Sequence, residues 1–391
     1  MADYGIESLG GKTPLAYAET PAMDQMAKTA EIGLARMVPK GMKPGSDTAN
    51  LGVIGYNPKI YYSGRSPLEA LSIGVEMKET DIAIRCNLVT LTEEEENYED
   101  KKIIDHSSSE ISTEDAAVLL DAVKKELETE EYKFYVGTSY RHLFVWDKGK
   151  VEEFTPPHDI PGRIIGEYLP EDPMFREIMR KSYDILSKHP LNLERKEKGL
   201  HPANSCWFWG AGTKPALTSF AEKTGKKGVM ISAVDLLKGI AVGAGMTNII
   251  VEGANGGLHT NYEGKAMAAV HALCEDGYDF AYIHVEAPDE MGHQGSVERK
   301  VQSIEYLDQR VIGIVKDEME KRGEDVRILV LPDHPTPIAT RTHSGEPVPY
   351  MLYDSTKAFS GVGQYNEEKA AESGIFFEEG YTLIDHLLEI E

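Results

Sequence analysis

From about residue 227 onward, short apolar runs alternate with helical stretches, and this alternation limits the possible folds more than any other feature of the chain. The runs fall at residues 228–232, 249–251, 280–285 and 326–331, each of strand length. Between them lie a helical stretch ending at residues 243–245 and another over 264–272. A long amphipathic helix follows, with Val301, Ile304, Leu307, Val311, Ile314 and Val315 on one stripe. Strand–helix–strand units close with right-handed crossovers, so the expected class is α/β, a mainly parallel sheet flanked by helices on both faces. Ligands of such sheets collect beyond the carboxyl ends of the strands. The residues just after 285 and 331 are therefore where chemistry is expected.

Residues 81–170 follow another pattern. Strand-like runs at 81–90 and 101–105 flank an acidic turn at 93–100. Ser112 and Asp115 then offer a capping start to a helix reaching about Leu127, with Val118, Leu119, Val123 and Leu127 apolar. Further extended runs cover 132–140 and 142–146, and the Pro-rich stretch 154–162 is expected to be a rim or hinge. At 391 residues the chain is long enough for two cores. The expected division is a core of 1–80 and 171–391, interrupted by an α+β insertion at 81–170.

Cys86, Cys206 and Cys274 form no CxxC pair, which argues against a disulfide framework or thiolate zinc site and for a reducing compartment. No stretch approaches the roughly 20 apolar residues of a membrane span, and Met1 is followed by Ala2, Asp3 and Tyr4 rather than a basic-apolar leader. A cytoplasmic protein with no membrane partner is expected. The net charge of −24 opposes nucleic acid as a partner. It also repels any anionic substrate, so metals and a few basic side chains must reverse the field locally.

Asp289 and His293 follow directly on the run ending near Val285, and Asp333 and His334 follow the next run, with His343 in the same loop. One such pair can be incidental to a surface loop; two at successive strand ends are hard to explain by packing. Carboxylates with imidazoles and no thiolates suit Mn²⁺, Zn²⁺, Co²⁺ or Mg²⁺, with ligands enough for two ions. Ser46, after Pro44 and Gly45, opens a helix whose N–H groups face anything bound at its start. Alone it reads as a cap, but a nearby metal makes it a candidate nucleophile.

Asp3-Tyr4 with residues 9–15, Pro44-Gly45-Ser46-Asp47, Asp289 with His293, and Asp333-His334-Pro335-Thr336-Pro337 followed by Arg341 and His343 resemble the archaeal-type, cofactor-independent phosphoglycerate mutases of the alkaline phosphatase superfamily. The likeness runs over nearly the whole chain. It implies an alkaline-phosphatase-like sheet with an inserted substrate-binding domain. It also implies interconversion of 3- and 2-phosphoglycerate in glycolysis and gluconeogenesis through a phosphoserine at Ser46, without 2,3-bisphosphoglycerate. By the same likeness Asp289, His293 and His343 hold one divalent ion and Ser46, Asp333 and His334 a second, with Mn²⁺ favoured over Mg²⁺, Co²⁺ or Zn²⁺. Family members open with a strand ending in Asp-Gly just before the Met-Ala-Asp segment; here the sequence begins at Met1, and a missing start is the expectation.

A small phosphorylated substrate needs cations and rigid donors. Arg85, Arg141, His142 and Arg163 are candidates to grip its carboxylate and phosphate across the cleft, with Asp159 bonding a hydroxyl and Lys214 stabilising the transferring charge. The competing readings are a homoserine kinase or metal-dependent phosphatase on the same scaffold, or a binding protein lacking activity. The chain shows no Walker-type or kinase glycine-rich loop.

Overall fold

Two compact units divide the computed structural model, which describes residues 1–390: Met1–Tyr62 with the chain from Ala216 onward, and Ser63–Pro215. The strands are, in chain order, β1 (Glu31–Ala35), β2 (Asp81–Leu91), β3 (Ile103–Asp105), β4 (Tyr132–Thr138), β5 (Arg141–Asp147), β6 (Ser205–Thr213), β7 (Gly228–Ile231), β8 (Thr247–Asn248), β9 (Phe280–Ile283), β10 (Arg327–Val330), β11 (Val348–Asp354) and β12 (Phe376–Phe377).

The first unit is the α/β core. β7 pairs in parallel with β8 and β9, as the alternation of runs requires, and Val229 and Ile231 pack against Ala269 and Ala272 of the helix Tyr262–Cys274. A second sheet runs β10-β11-β1-β12. It is mixed: β11 is antiparallel to both β10 and β1, and only β1 and β12 run parallel. β9 and β10 are the end strands of their sheets, and a cavity of ≈ 520 Å³ is lined by residues of both, by His284 and by Ser46, Asp333 and His334. The run at 249–251 leaves the sheet early. Ile249 N–H still bonds Met230 O at 2.9 Å, but Ile250 is 70% exposed. The long apolar stripe is carried by two helices, Val297–Leu307 and Gly313–Arg322, joined by a π-helical turn, Asp308–Ile312. In that turn the buried Asp308 carboxylate accepts the N–H groups of Ala22 and Met23 at 3.0 and 2.7 Å, capping the helix Pro21–Met26.

The second unit is an antiparallel sheet, β3-β2-β5-β4, with β6 on β2 as its fifth strand. β2 is buried at every position. Helices Thr113–Leu127 and Pro173–Leu186 pack with this sheet, the first capped by Ser112, whose hydroxyl accepts Asp115 N–H at 3.1 Å. Phe144 meets Phe208 and Phe175 edge-on at 5.0 and 5.6 Å. Such ring pairs each add about 0.5–1.5 kcal/mol beyond the area they bury.

The division at 63 and 215 replaces the expected 81 and 170. The cause is non-local: β6 lies along β2 from Ser205 opposite Val89 to Thr213 opposite Ile82, and the helix Pro173–Leu186 packs on β6, so both belong to this unit. The Pro-rich stretch is part of its wall rather than a rim or hinge. Phe154 sits edge-on against Phe175 at 5.0 Å, and Trp207 Nε1–H donates to Thr155 O at 2.8 Å.

Candidate metal centre

Beyond β9 the chain turns into the short helix Ala287–His293, with Pro288 in its first turn, where a missing N–H costs nothing. Asp289 and His293 are four residues apart and so share one face. His293 Nε2 lies 3.3 Å from Asp289 Oδ2. The loop after β10 brings His343 Nε2 to 2.9 Å from His293 Nε2 and 3.5 Å from Asp289 Oδ1. His334, 3% exposed, places its ring 3.9 Å from that of His343, centroid to centroid.

Ser46 arrives from the sheet that also carries β10, at the start of the helix Ser46–Val53 that follows β1. A Cβ on Gly45 would come within 2.6 Å of Asp47 Oδ1, so a larger residue there would have to displace that side chain. Ser46 Oγ lies 3.0 Å from His334 Nε2. One turn on, the Asn50 amide donates to Ser46 O and to Asp333 Oδ2, both at 2.8 Å. Tyr282 OH donates in turn to Asn50 Oδ1 in a close hydrogen bond, which fixes the orientation of the amide. Asp333 Oδ2 is 3.4 Å from His334 Nε2. Ser46, Asp289, His293, Asp333, His334 and His343 are thus linked side chain to side chain.

Desolvation would raise the Asp289 carboxyl, but the hydrogen bonds from His293 and His343, the charge of His334 and the Thr336 hydroxyl outweigh it and hold it well below the usual carboxylate range. The hydrogen bond to Asp289 lifts His293 to about 9 against its own desolvation. Asp333 is likewise enclosed, yet His334 and His284 keep its carboxyl below its ordinary value. Burial pushes His334 down.

The donors fit a divalent cation. Ring nitrogens 2.9 Å apart must share a single proton or face a positive ion. The ligand atoms of Asp289, His334 and His343 all lie within 4.8 Å of one another. His293 Nδ1 sits 2.9 Å from Arg341 O, the backbone contact that fixes the tautomer and leaves Nε2 free to bind a metal. Carboxylate and imidazole without thiolate are the ligands of Mn²⁺, Co²⁺ or Zn²⁺.

The remaining sequence candidates lie in the second unit. Arg85, 4% exposed, pairs with Glu69 at 3.1 Å and lies 4.3 Å from the centroid of the Trp209 ring. Arg141, Asp159 and Arg163 are exposed. His142 is 1% exposed, its Nδ1 accepts Gly137 N–H at 3.1 Å, and burial drives it down to about 3. Its ring is therefore enclosed in the β4–β5 hairpin rather than presented to a ligand. Lys214 follows β6, a strand of this unit rather than of the α/β core, and pairs with Glu79 at 2.8 Å. Asn50, Tyr282 and Thr336 were not singled out in the sequence, although Asn50 stands one helical turn beyond Ser46 and Thr336 lies inside the Asp333–Pro337 motif.

An α/β core whose loops gather a serine, carboxylates and imidazoles defines a metal-dependent phosphotransfer enzyme of the alkaline phosphatase superfamily. The model of the 2,3-bisphosphoglycerate-independent phosphoglycerate mutase family matches residues 27–192. A 2,3-bisphosphoglycerate-independent phosphoglycerate mutase of Methanosarcina barkeri is 48% identical over 379 residues, 96% of this chain and 93% of the relative. A probable one of Geobacter sulfurreducens is 47% identical over 394 residues, 100% of this chain and 97% of its own length. Among solved structures, the PH0037 protein of Pyrococcus horikoshii superposes with a TM-score of 0.81 at 28% identity, covering 100% of this chain and 95% of that one. The chain belongs to the 2,3-bisphosphoglycerate-independent phosphoglycerate mutases, enzymes that interconvert 2- and 3-phosphoglycerate by a metal-dependent route through a phosphoserine.

Proposed function

We propose that Ser46 is the residue that carries the phosphoryl group in this chain, and that two divalent ions attend it. Asp289, His293 and His343 hold one, and Ser46, Asp333 and His334 the other, with Mn²⁺ ahead of Mg²⁺, Co²⁺ and Zn²⁺. The observation that carries the reading is Ser46 Oγ at 3.0 Å from His334 Nε2, at the head of a helix tied to Asp333 through Asn50. When bound, the ions lower the pKa of the serine hydroxyl and neutralise the phosphoryl oxygens.

The chain's own part is positional. Ser46 Oγ attacks phosphorus, the P–O bond to the 3-oxygen of glycerate breaks, and the serine proton ends on that oxygen. Glycerate turns in place, its 2-oxygen takes the phosphoryl group back, and Ser46 regains a proton. No bisphosphorylated cofactor enters this balance. Backbone N–H groups at the start of the helix Ser46–Val53 favour the negative phosphoryl group.

For the second unit we infer a substrate-binding role, with Arg85, Arg141 and Arg163 as cations for carboxylate and phosphate, Asp159 as an acceptor for a hydroxyl, and Lys214 for the transferring charge. His142 supports the hairpin that carries Arg141. Three free cysteines favour the cytoplasm, and among the described residues no helix is long and apolar enough to cross a membrane.

Metal analysis of the purified chain tests the two-ion reading. Two Mn²⁺ per chain are expected, falling to one in Asp289→Ala and in His343→Ala. Full mutase activity after dialysis in excess chelator, or a single ion in the fully active parent, contradicts it.

A further inference from the structure

The loop that delivers His334 and His343 is held by an ion pair with almost no access to water. Lys300, on the helix Val297–Leu307, is 0% exposed, and its Nζ donates to Asp3 Oδ2 at 2.7 Å, Thr336 O at 2.8 Å and Ala2 O at 3.3 Å. Asp3 accepts Tyr4 N–H at 2.7 Å and Ile338 N–H at 3.1 and 3.3 Å through its two oxygens. The pair therefore grips the loop on both sides of Pro337, by the carbonyl of Thr336 and the amide of Ile338. The helix Ala287–His293 also closes on this loop, so tightly that a Cβ on Gly292 would lie 2.5 Å from Thr336 O. Thr336 has its backbone fixed by both helices.

Its side chain is fixed as well, and it points at the metal centre. Thr336 Oγ1 makes a close hydrogen bond to Asp289 Oδ1 and lies 3.4 Å from His334 Nδ1. A carboxylate with one oxygen so held cannot spin freely about its Cβ–Cγ bond. Asp289 Oδ2 is then kept toward His293 and Oδ1 toward His343.

We propose that Thr336 is a positioning residue that sets the rotation of the Asp289 carboxylate for metal binding, and that the Lys300–Asp3 pair is the clamp that holds Thr336 in place. The proposal rests on Asp289 being a metal ligand. Ligating carboxylates are hydrogen-bonded by such outer groups, whose loss commonly costs 10–100-fold in metal affinity. The clamp also has a physical rationale. Burying an ammonium and a carboxylate costs several kcal/mol each, and an apolar pair of similar volume often serves stability as well or better. An apolar pair could not hold the Thr336 carbonyl and the Ile338 amide at the same time.

The test is a Mn²⁺ titration of the full chain by calorimetry, with no turnover involved. Thr336→Val keeps the shape and removes the hydroxyl; its Mn²⁺ affinity at the Asp289 site is expected to fall about 10–100-fold. Thr336→Ser is expected to restore affinity to within that tenfold margin. The double variant Asp3→Asn with Lys300→Met leaves no unpaired charge from the pair but removes the donor to Thr336 O, so it is expected to fold yet to bind Mn²⁺ at least about tenfold more weakly. Asp289→Ala separates the two readings. If it keeps parental Mn²⁺ affinity, the ligand assignment fails. If it loses binding while Thr336→Val stays within tenfold of the parent, only the positioning role of Thr336 fails. A double variant with parental Mn²⁺ affinity overturns the clamp.

Discussion

In the second unit β2 is buried along its whole length, and the rings of Phe134, Phe144, Phe175 and Phe208 fill the space beside it. At the strand ends of the first unit, the interior is occupied instead by Asp3, Lys300, Asn50 and His334, none more than 7% exposed. Apolar packing sums many small, undirected terms, so the loss of one ring weakens the whole without rearranging what remains. A polar cluster depends on completeness. Removing one partner leaves the others desolvated and unpaired, and the fault appears first in binding and chemistry. The two regions should therefore answer mutation in different observables.

Ser46→Ala should give the largest effect. The mutase rate is expected to drop by at least about 10³-fold, while Mn²⁺ binding, with the Asp and His ligands intact, stays within about tenfold, or 1.4 kcal/mol. Retention of more than a tenth of the parental rate would reduce Ser46 to a helix cap. Phe175→Ala comes next and acts in the other observable. It should lower stability by about 3–5 kcal/mol in urea unfolding, with Mn²⁺ affinity per folded molecule unchanged. A matching loss of metal affinity would break the contrast between the regions.

The smallest effect at neutral pH concerns His142. Burial depresses it from the ordinary 6.5 to about 3, so the unfolded chain takes up a proton first as pH falls. Its contribution is fully present above pH 6.5 and is lost progressively down to about 3, with a limiting slope of about 1.4 kcal/mol per pH unit. His142→Asn, which keeps an acceptor for Gly137 N–H, should flatten that part of the stability profile. An unchanged profile would mean that the imidazole titrates in the folded protein as it does in the unfolded one.

Local signals carried the α/β core and the metal loops. Runs near 228–231, 280–283 and 327–330 are strands with three or four consecutive apolar residues, fully buried in β7 and half-buried in β9 and β10, where these border the cavity. Asp289 and His293 stand out by their place after such a run, and Pro288 marks the first turn of the helix that puts them on one face. Non-local pairing was out of reach. Trp207, Phe208 and Trp209 would suit any buried strand, and only the register with β2 assigns them to the second unit. His142 beside Arg141 looks like a basic pair, but alternation along β5 turns one side chain out and the other in. Lys300 has no signal in the sequence, and Thr336 only its place in the Asp333–Pro337 motif, because their roles depend on a contact across 36 residues of sequence.

If the polar cluster passes a phosphoryl group through Ser46, the group can be caught there. The Mn²⁺-loaded enzyme is mixed with 3-phosphoglycerate, quenched with acid within the first turnovers, digested, and its peptides are mapped by mass spectrometry. Phosphate is expected on Ser46, with no phosphopeptide from Ser46→Ala treated in the same way. Formation of 2-phosphoglycerate with Ser46 unmodified at every quench time, or an equal yield of phosphopeptide from Ser46→Ala, would contradict it.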